Sequence, residues 1–241
     1  DLFFQYLFAG ITYGSIYAVV AIGFNIIYNA TGIINFAQGE FVMLGGLIAI
    51  SLLPLLPLPL AVAAAVAITM AVGGLIEVLF IRWLQSPSVL RMVIITIGIS
   101  ILLRESALHL WGESIRSLPY FYGNEVTTLN LGSVHLSPKV LFLLGACAIM
   151  VAGLHLFFRA TPVGREMRAC AANRTAAQLC GISTRNMVTL SFMLSAGIGA
   201  LAGCVMSPIT YTQYDSGTAL AIKGFTVAII GGLGNSGAAV A

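Results

Sequence analysis

The sequence predicts an all-α fold, a polytopic bundle of transmembrane helices, from how few charges it carries and where they fall. Only 8% of the 241 residues are charged and 59% are hydrophobic, whereas soluble domains carry about 25% charged residues. So few charges cannot cover a water-exposed surface. No charged residue occurs from Leu2 to Gly39, and none from Phe41 to Ile76. A helix of about 20 apolar residues crosses a hydrocarbon core about 30 Å thick, so runs of this length read as spans. The short alternating strands of a transmembrane barrel are not the pattern here.

Breaks between the apolar runs place spans near 2–28, 36–53, 58–81, 92–110, 139–158, 187–207 and 223–241. That is about seven, in a single transmembrane domain over 1–241. The last span runs off the end and residue 1 is Asp rather than Met, which reads as a fragment or a trimmed chain. Small residues four apart form three stripes: Gly10, Gly14 and Ala18; Ala61, Ala65 and Gly73 with Thr69; and Ser195, Gly199 and Gly203. Such stripes let helix backbones approach closely where lipid removes the hydrophobic drive. The four cysteines, at 147, 170, 180 and 204, form no C-x-x-C pair and read as small hydrophobes.

Cations set the orientation. Seven of the eleven fall in two connections, Arg82 and Arg91 in one and Arg159, Arg165, Arg168, Arg174 and Arg185 in the other. Two spans separate these connections, so both lie on one side, and the positive-inside rule makes that side cytoplasmic. The loop 111–138 and the N-terminus are then external. Within 111–138, Trp111, Tyr120, Phe121 and Tyr122 suit a membrane interface, and the alternation around Asn130-Leu131-Gly132-Ser133 predicts a small hairpin or lid. The loop reads as a solvated segment or as a binding surface. The segment 29–39 holds no Lys or Arg, and its cytoplasmic placement rests on counting spans alone.

The connection 159–187, "RATPVGREMRACAANRTAAQLCGISTRNM", is long for a loop and needs a reason. Thr161 suits an N-cap with Pro162 at the first helical position, and Glu166 is expected in the first turn. Ala169, Ala171 and Ala172 should continue the helix, and Gly181 should stop it in the left-handed conformation. A short helix with small residues on one face and arginines on another is too small to fold alone. It suits docking in another protein's cleft, or contact with anionic membrane lipid.

The stretch "YNATGIINFAQGEF", residues 28–41, is polar between two apolar runs. Thr31-Gly32 supplies a break, and Asn35 and Gln38 have the spacing of a reciprocal cap on the second span. Glu40 then sits one turn inside that span, near its positive end. A carboxylate within the bilayer marks a functional path or a buried pairing. The capping account favours a structural joint, with gating or solute passage as the other reading. Glu77 with Arg82, and Arg104 with Glu105, read as pairs or snorkelling side chains near the interface.

Four blocks, "TGIINFAQGEFVMLGG", "GREMRACAANRTAAQLCGI", "SAGIGALAGCV" and "KGFTVAIIGGLGNSGAAVA", stand in that order along the chain. Together they resemble the branched-chain amino-acid ABC transporter permeases, of the Liv-H type, over nearly the whole length. "TAAQLCG" is similar to the E-A-A-x-x-x-G loop of ABC importer permeases, with Thr175 where that motif has Glu and without its downstream Ile-x-Leu-Pro. The resemblance implies a transport subunit of a bacterial inner membrane, not an enzyme, with no cofactor. It implies four kinds of partner: a second permease subunit of the Liv-M type, two ABC ATPase subunits, an extracytoplasmic solute-binding protein, and membrane lipid. No nucleic acid is implied. It also makes 159–187 the coupling loop toward the ATPase, through Gly164, Arg165, Arg168, Ala169, Ala176, Ala177 and Gly181. Thr31, Asn35, Gln38 and Glu40 become a family signature of possible gating.

Other chemistries find little support. No G-x-x-x-x-G-K-[ST] motif binds nucleotide here, no H-E-x-x-H holds zinc, and His109, His135 and His155 are scattered. A stand-alone transporter needs a carboxylate near mid-membrane on broken helices. Glu40 is the one candidate, and the sequence shows no second broken segment to pair with it. Aliphatic path walls do not identify the solute.

Overall fold

The computed structural model describes residues 2–83, 89–119, 129–131, 134–136 and 138–233. Nine α-helices are found among them: α1 Leu2–Thr31, α2 Gln38–Leu52, α3 Leu58–Ile76, α4 Val89–Trp111, α5 Pro138–Ala160, α6 Pro162–Ala172, α7 Arg174–Leu179, α8 Thr184–Thr210 and α9 Ser216–Ile230. A π-helical turn, Glu77–Ile81, prolongs α3. Strands β1, Leu129–Leu131, and β2, Val134–Leu136, pair antiparallel, which is the hairpin expected around Asn130. Residues 120–128, 132–133 and the end of the last expected span, 234–241, lie outside the described residues.

Among the described residues, five segments are long and apolar enough to cross a membrane: Ala9–Thr31, Leu58–Ile81, Leu90–Trp111, Leu141–Ala160 and Thr184–Thr210. The expected count of seven is not reached, because α2 and α9 have 15 residues each. At 1.5 Å per residue that is about 22 Å, short of the roughly 30 Å core. The last element also starts earlier than the sequence suggested, at Ser216 rather than near Lys223. Lys223 does not bound it, because its ammonium reaches Tyr17 Oη at 3.1 Å and lies over that ring. Gly231, and Gly232 with φ of +84°, close the helix.

The bundle is built around α8, which packs against α1, α2 and α3. Two of the three small-residue stripes do the packing. Ala61, Ala65, Thr69 and Gly73 are all buried in α3, and a side chain at Gly73 would run into Phe192 O and Ala196 of α8. Ser195, Gly199 and Gly203 face α2, where Gly203 lies directly against Val42 O. The third stripe is different: a Cβ at Gly10 or Gly14 would meet nothing among the described residues within 4 Å. Cys147, Cys170 and Cys204 are buried and Cys180 is exposed, all as free thiols.

The chain reverses between α1 and α2. Gly32, with φ of +71°, ends α1, assisted by Thr31, whose hydroxyl donates to Ile27 O and accepts from Ile33 N. Residues 32–37 then run back along α1 without forming a helix, so that Gln38 opens α2 beside Gly23, about 12 Å up from Thr31. Non-helical backbone at such depth survives only where protein or a water-filled cavity surrounds it. Asn35, Ala37 and Gln38 are accordingly fully buried. The α2 helix covers only the remaining half of the bundle and ends near Trp111, whose indole donates to Ser51 Oγ at 2.5 Å.

Candidate functional site

The structure brings the predicted residues together in two places. One is the junction where α2 and α9 begin; the other is the unit 159–187.

At the junction the reciprocal cap does not form. Asn35 Oδ1 accepts from Ala37 N at 3.1 Å, and the N-cap of α2 is Ala37, with no side-chain capping bond. Gln38 turns away from its own helix. Its Nε2 donates to Ser195 O at 3.2 Å, and its Oε1 lies 2.5 Å from Ser195 Oγ. Ser195 Oγ also lies 2.8 Å from Gly23 O, so one hydroxyl stands within hydrogen-bond reach of both α1 and α2. The cap fails on both sides: Gln38 N, which the Asn35 side chain was to cap, donates to Asn35 O instead, and the Gln38 amide that was to reach back to Asn35 N is bonded across the bundle to Ser195.

Glu40 lies in the first turn of α2, nearer the helix start than the expected one turn inside because the helix opens only at Gln38, and is fully buried. Its partners are not local. Ser100 of α4 donates to Oε1 at 2.9 Å and Thr218 of α9 at 3.1 Å, while Oε2 has no hydrogen-bond partner among the described residues. Gly217 lies against this carboxylate, and Gly39 lies against Gly217 O. Two short helices thus begin side by side at mid-bundle with a carboxylate between their first turns. The sequence pattern showed no second broken segment to pair with Glu40; α9 is that segment.

In the unit 159–187, Thr161 Oγ1 accepts from Gly164 N at 3.0 Å and caps α6, with Pro162 at its start. Glu166 falls just beyond the first turn rather than in it. The expected single helix is two. Asn173, extended at φ −156°, breaks it and caps α7 by accepting from Ala176 N at 3.0 Å. Gly181 ends α7 at φ +83°, with Ile182 N bonded to Ala177 O and Gly181 N to Gln178 O. That bond pair is a Schellman stop, whose left-handed residue favours glycine.

Within this unit the predicted contact residues divide. Arg165, Arg168 and Ala176 are exposed, as is Gly181, and Ala169 is half-buried. Gly164 and Ala177 face inward. A side chain on Gly164 would strike Phe157 O and Phe158 Cα of α5, and Ala177 is buried in the core shared with α1 and α8. Both shape the unit; neither offers a surface. Leu179, absent from the predicted set, is 86% exposed at the tip. An isolated leucine gives little sequence signal, but its place two residues before the stop glycine marks it as a tip residue.

Arg82, beside the other cation-rich connection, lies at the same end. It pairs with buried Glu77 at 3.2 Å, and Thr189 of α8 donates to Glu77 Oε2 at 2.7 Å and accepts from Arg82 Nη2 at 2.9 Å. A basin of about 640 Å³ is lined by Thr31, Glu77, Arg82, Arg174, Gln178 and Arg185, among others. It joins the ends of α1 and α3 to α7 and the start of α8. This places Thr31 at the loop end, as span counting had it, while Gln38 and Glu40 lie deep in the bundle.

A family model described as the permease component of branched-chain amino acid transport systems matches residues 6–241. The chain belongs to this permease family. A high-affinity branched-chain amino acid transport system permease protein of Pseudomonas aeruginosa, BraD, is 33% identical over 97% of this chain and 80% of its own length. The corresponding LivH protein of Escherichia coli is 30% identical over the same shares. A probable LivH of Methanocaldococcus jannaschii is 27% identical over 92% of this chain and 72% of its own. No solved structure matches the chain. For a permease, both places matter: one lies deep in the bundle between two short helices, the other projects from it.

Proposed function

We propose that this permease is one membrane subunit of an ATP-driven importer for branched-chain or related amino acids in a bacterial inner membrane. A second permease subunit completes the path, two ATPase subunits energise it, and an extracytoplasmic protein delivers the solute. The observation that carries this reading is the α6–α7 unit, which is internally capped at both ends yet offers Arg165, Arg168, Arg174, Ala176 and Leu179 outward. A leucine so exposed on a short rigid helix suits the groove of a cytoplasmic partner, since burying it contributes about 1.5–3 kcal/mol. The inner side of the same unit rests on the ends of α1, α5 and α8, so displacing α7 displaces those ends as a lever would.

One observation favours a stand-alone transporter as the second reading: paired helix starts at an intramembrane carboxylate are how such transporters build sites. The family weighs against it.

Orientation tests the reading, and Cys180 makes the test direct, since the other three thiols are buried. A membrane-impermeant maleimide should label Cys180 in inside-out vesicles and leave it unlabelled in intact cells. Bound ATPase subunits should slow that labelling. Labelling from the outside would remove the coupling role.

A further inference from the structure

The bundle carries a polar face in a place where lipid would not tolerate one. Ser100 is the midpoint of α4, 11 residues from either end, about 16 Å in each direction. One turn further along, Arg104 keeps 30% of its side chain exposed, and Ser100 and Thr218 are only part-buried. Arg104 Nη1 donates to Thr218 Oγ1 at 3.4 Å, and its Nε stands 3.9 Å from Glu105. A guanidinium and two hydroxyls at this depth must face a protein partner or a water-filled path.

The direction of the hydrogen bonds decides what this face offers. A hydroxyl has one proton and two acceptor lone pairs. Ser100 and Thr218 both spend their proton on Glu40 Oε1, so outward they present oxygen acceptors backed by a buried carboxylate. Beside them, the half-exposed guanidinium of Arg104 has further N–H groups to donate. Acceptors next to a guanidinium match a group that is cationic at one atom and anionic a few ångströms away.

We propose that Ser100, Arg104 and Thr218, backed by Glu40, line the solute path and receive the zwitterionic head of an amino acid. The hydroxyl oxygens take the ammonium and Arg104 takes the carboxylate. Glu40 is a positioning residue that fixes which way the hydroxyls point. This rests on the permease reading above and deepens it from subunit to site.

The test uses the complete transporter in vesicles, with the four native cysteines replaced by alanine and single cysteines introduced as Ser100→Cys, Thr218→Cys or Leu102→Cys. The probe is a charged, membrane-impermeant methanethiosulfonate reagent. It should modify the cysteines at 100 and 218 and spare the one at 102, which α4 carries on another face. In the parent, Arg104→Gln and Glu40→Gln should each lower ATP-driven uptake of radiolabelled leucine about tenfold, the effect of one lost charge-assisted hydrogen bond. Recovery of the partner subunits should not change. Modification without any leucine uptake by the parent supports the lined path and strikes the amino-acid reading instead. Active leucine uptake with the cysteines at 100 and 218 both inert would overturn the proposal, because the face would then be sealed against a partner.

Discussion

Gly203→Val is expected to destabilise the isolated permease severely, because it wedges apart the two helices at the centre of the bundle. Gly203 sits directly against Val42 O, with Val42 C 2.8 Å and Gly46 N 3.3 Å from where a Cβ would lie. These are backbone atoms of α2, which cannot rotate away as a side chain would. The helices must separate, and overpacking of this kind costs up to about 3 kcal/mol, occasionally more. Separation would also pull Gln38 off Ser195, leaving buried polar atoms unpaired at about 1–3 kcal/mol each. Thermal unfolding in detergent reads this out as a lowered midpoint. Gly98→Val is the control, because a Cβ there meets nothing among the described residues within 4 Å; its midpoint should match the parent's.

The second large effect belongs to the loop. Leu179→Asp should abolish recovery of the ATPase subunits while leaving the permease as stable as the parent, since the side chain is 86% exposed. Losing the burial of a leucine, about 1.5–3 kcal/mol, weakens association roughly 10- to 150-fold, and a carboxylate in an apolar groove adds to that. Arg174→Ala should do much less, because an exposed ion pair contributes about 0–1 kcal/mol. Ala177→Leu is the wrong probe, although its small side chain suggested docking. Ala177 is buried within the chain, so enlarging it disturbs the loop itself. Pull-down from solubilised membranes decides between these expectations; normal ATPase recovery with Leu179→Asp would mean that the tip is not the contact.

The residues that the sequence places well are those whose role is local. Thr161 caps, and Gly181 takes a positive φ, because a helix end needs those properties whatever surrounds it. The two-helix form of the loop was also within reach. Asn173 is a strong N-cap residue, but the alanines before it read as helix continuing through. Depth was not legible. Residues 36–53 have the composition of a span, and only the contacts of Gln38 with Gly23 and Ser195 show that α2 starts halfway in. In the same way Lys223 looked like a boundary because its partner, Tyr17, is 206 residues away. The partners of Glu40, 60 and 178 residues distant, leave no periodic trace. On sequence alone, local capping therefore accounts for a carboxylate that the fold uses to join three helices.

The central claim is that this chain carries solute only as the membrane part of an ATP-driven assembly, and uptake into vesicles tests it most directly. Vesicles holding the chain with its second permease and ATPase subunits, supplied with the solute-binding protein on the face opposite α7, should accumulate radiolabelled leucine only when ATP is present on the α7 side. Vesicles holding the chain alone should accumulate none. Uptake by the chain alone, driven by a proton or sodium gradient without ATP, would contradict the account.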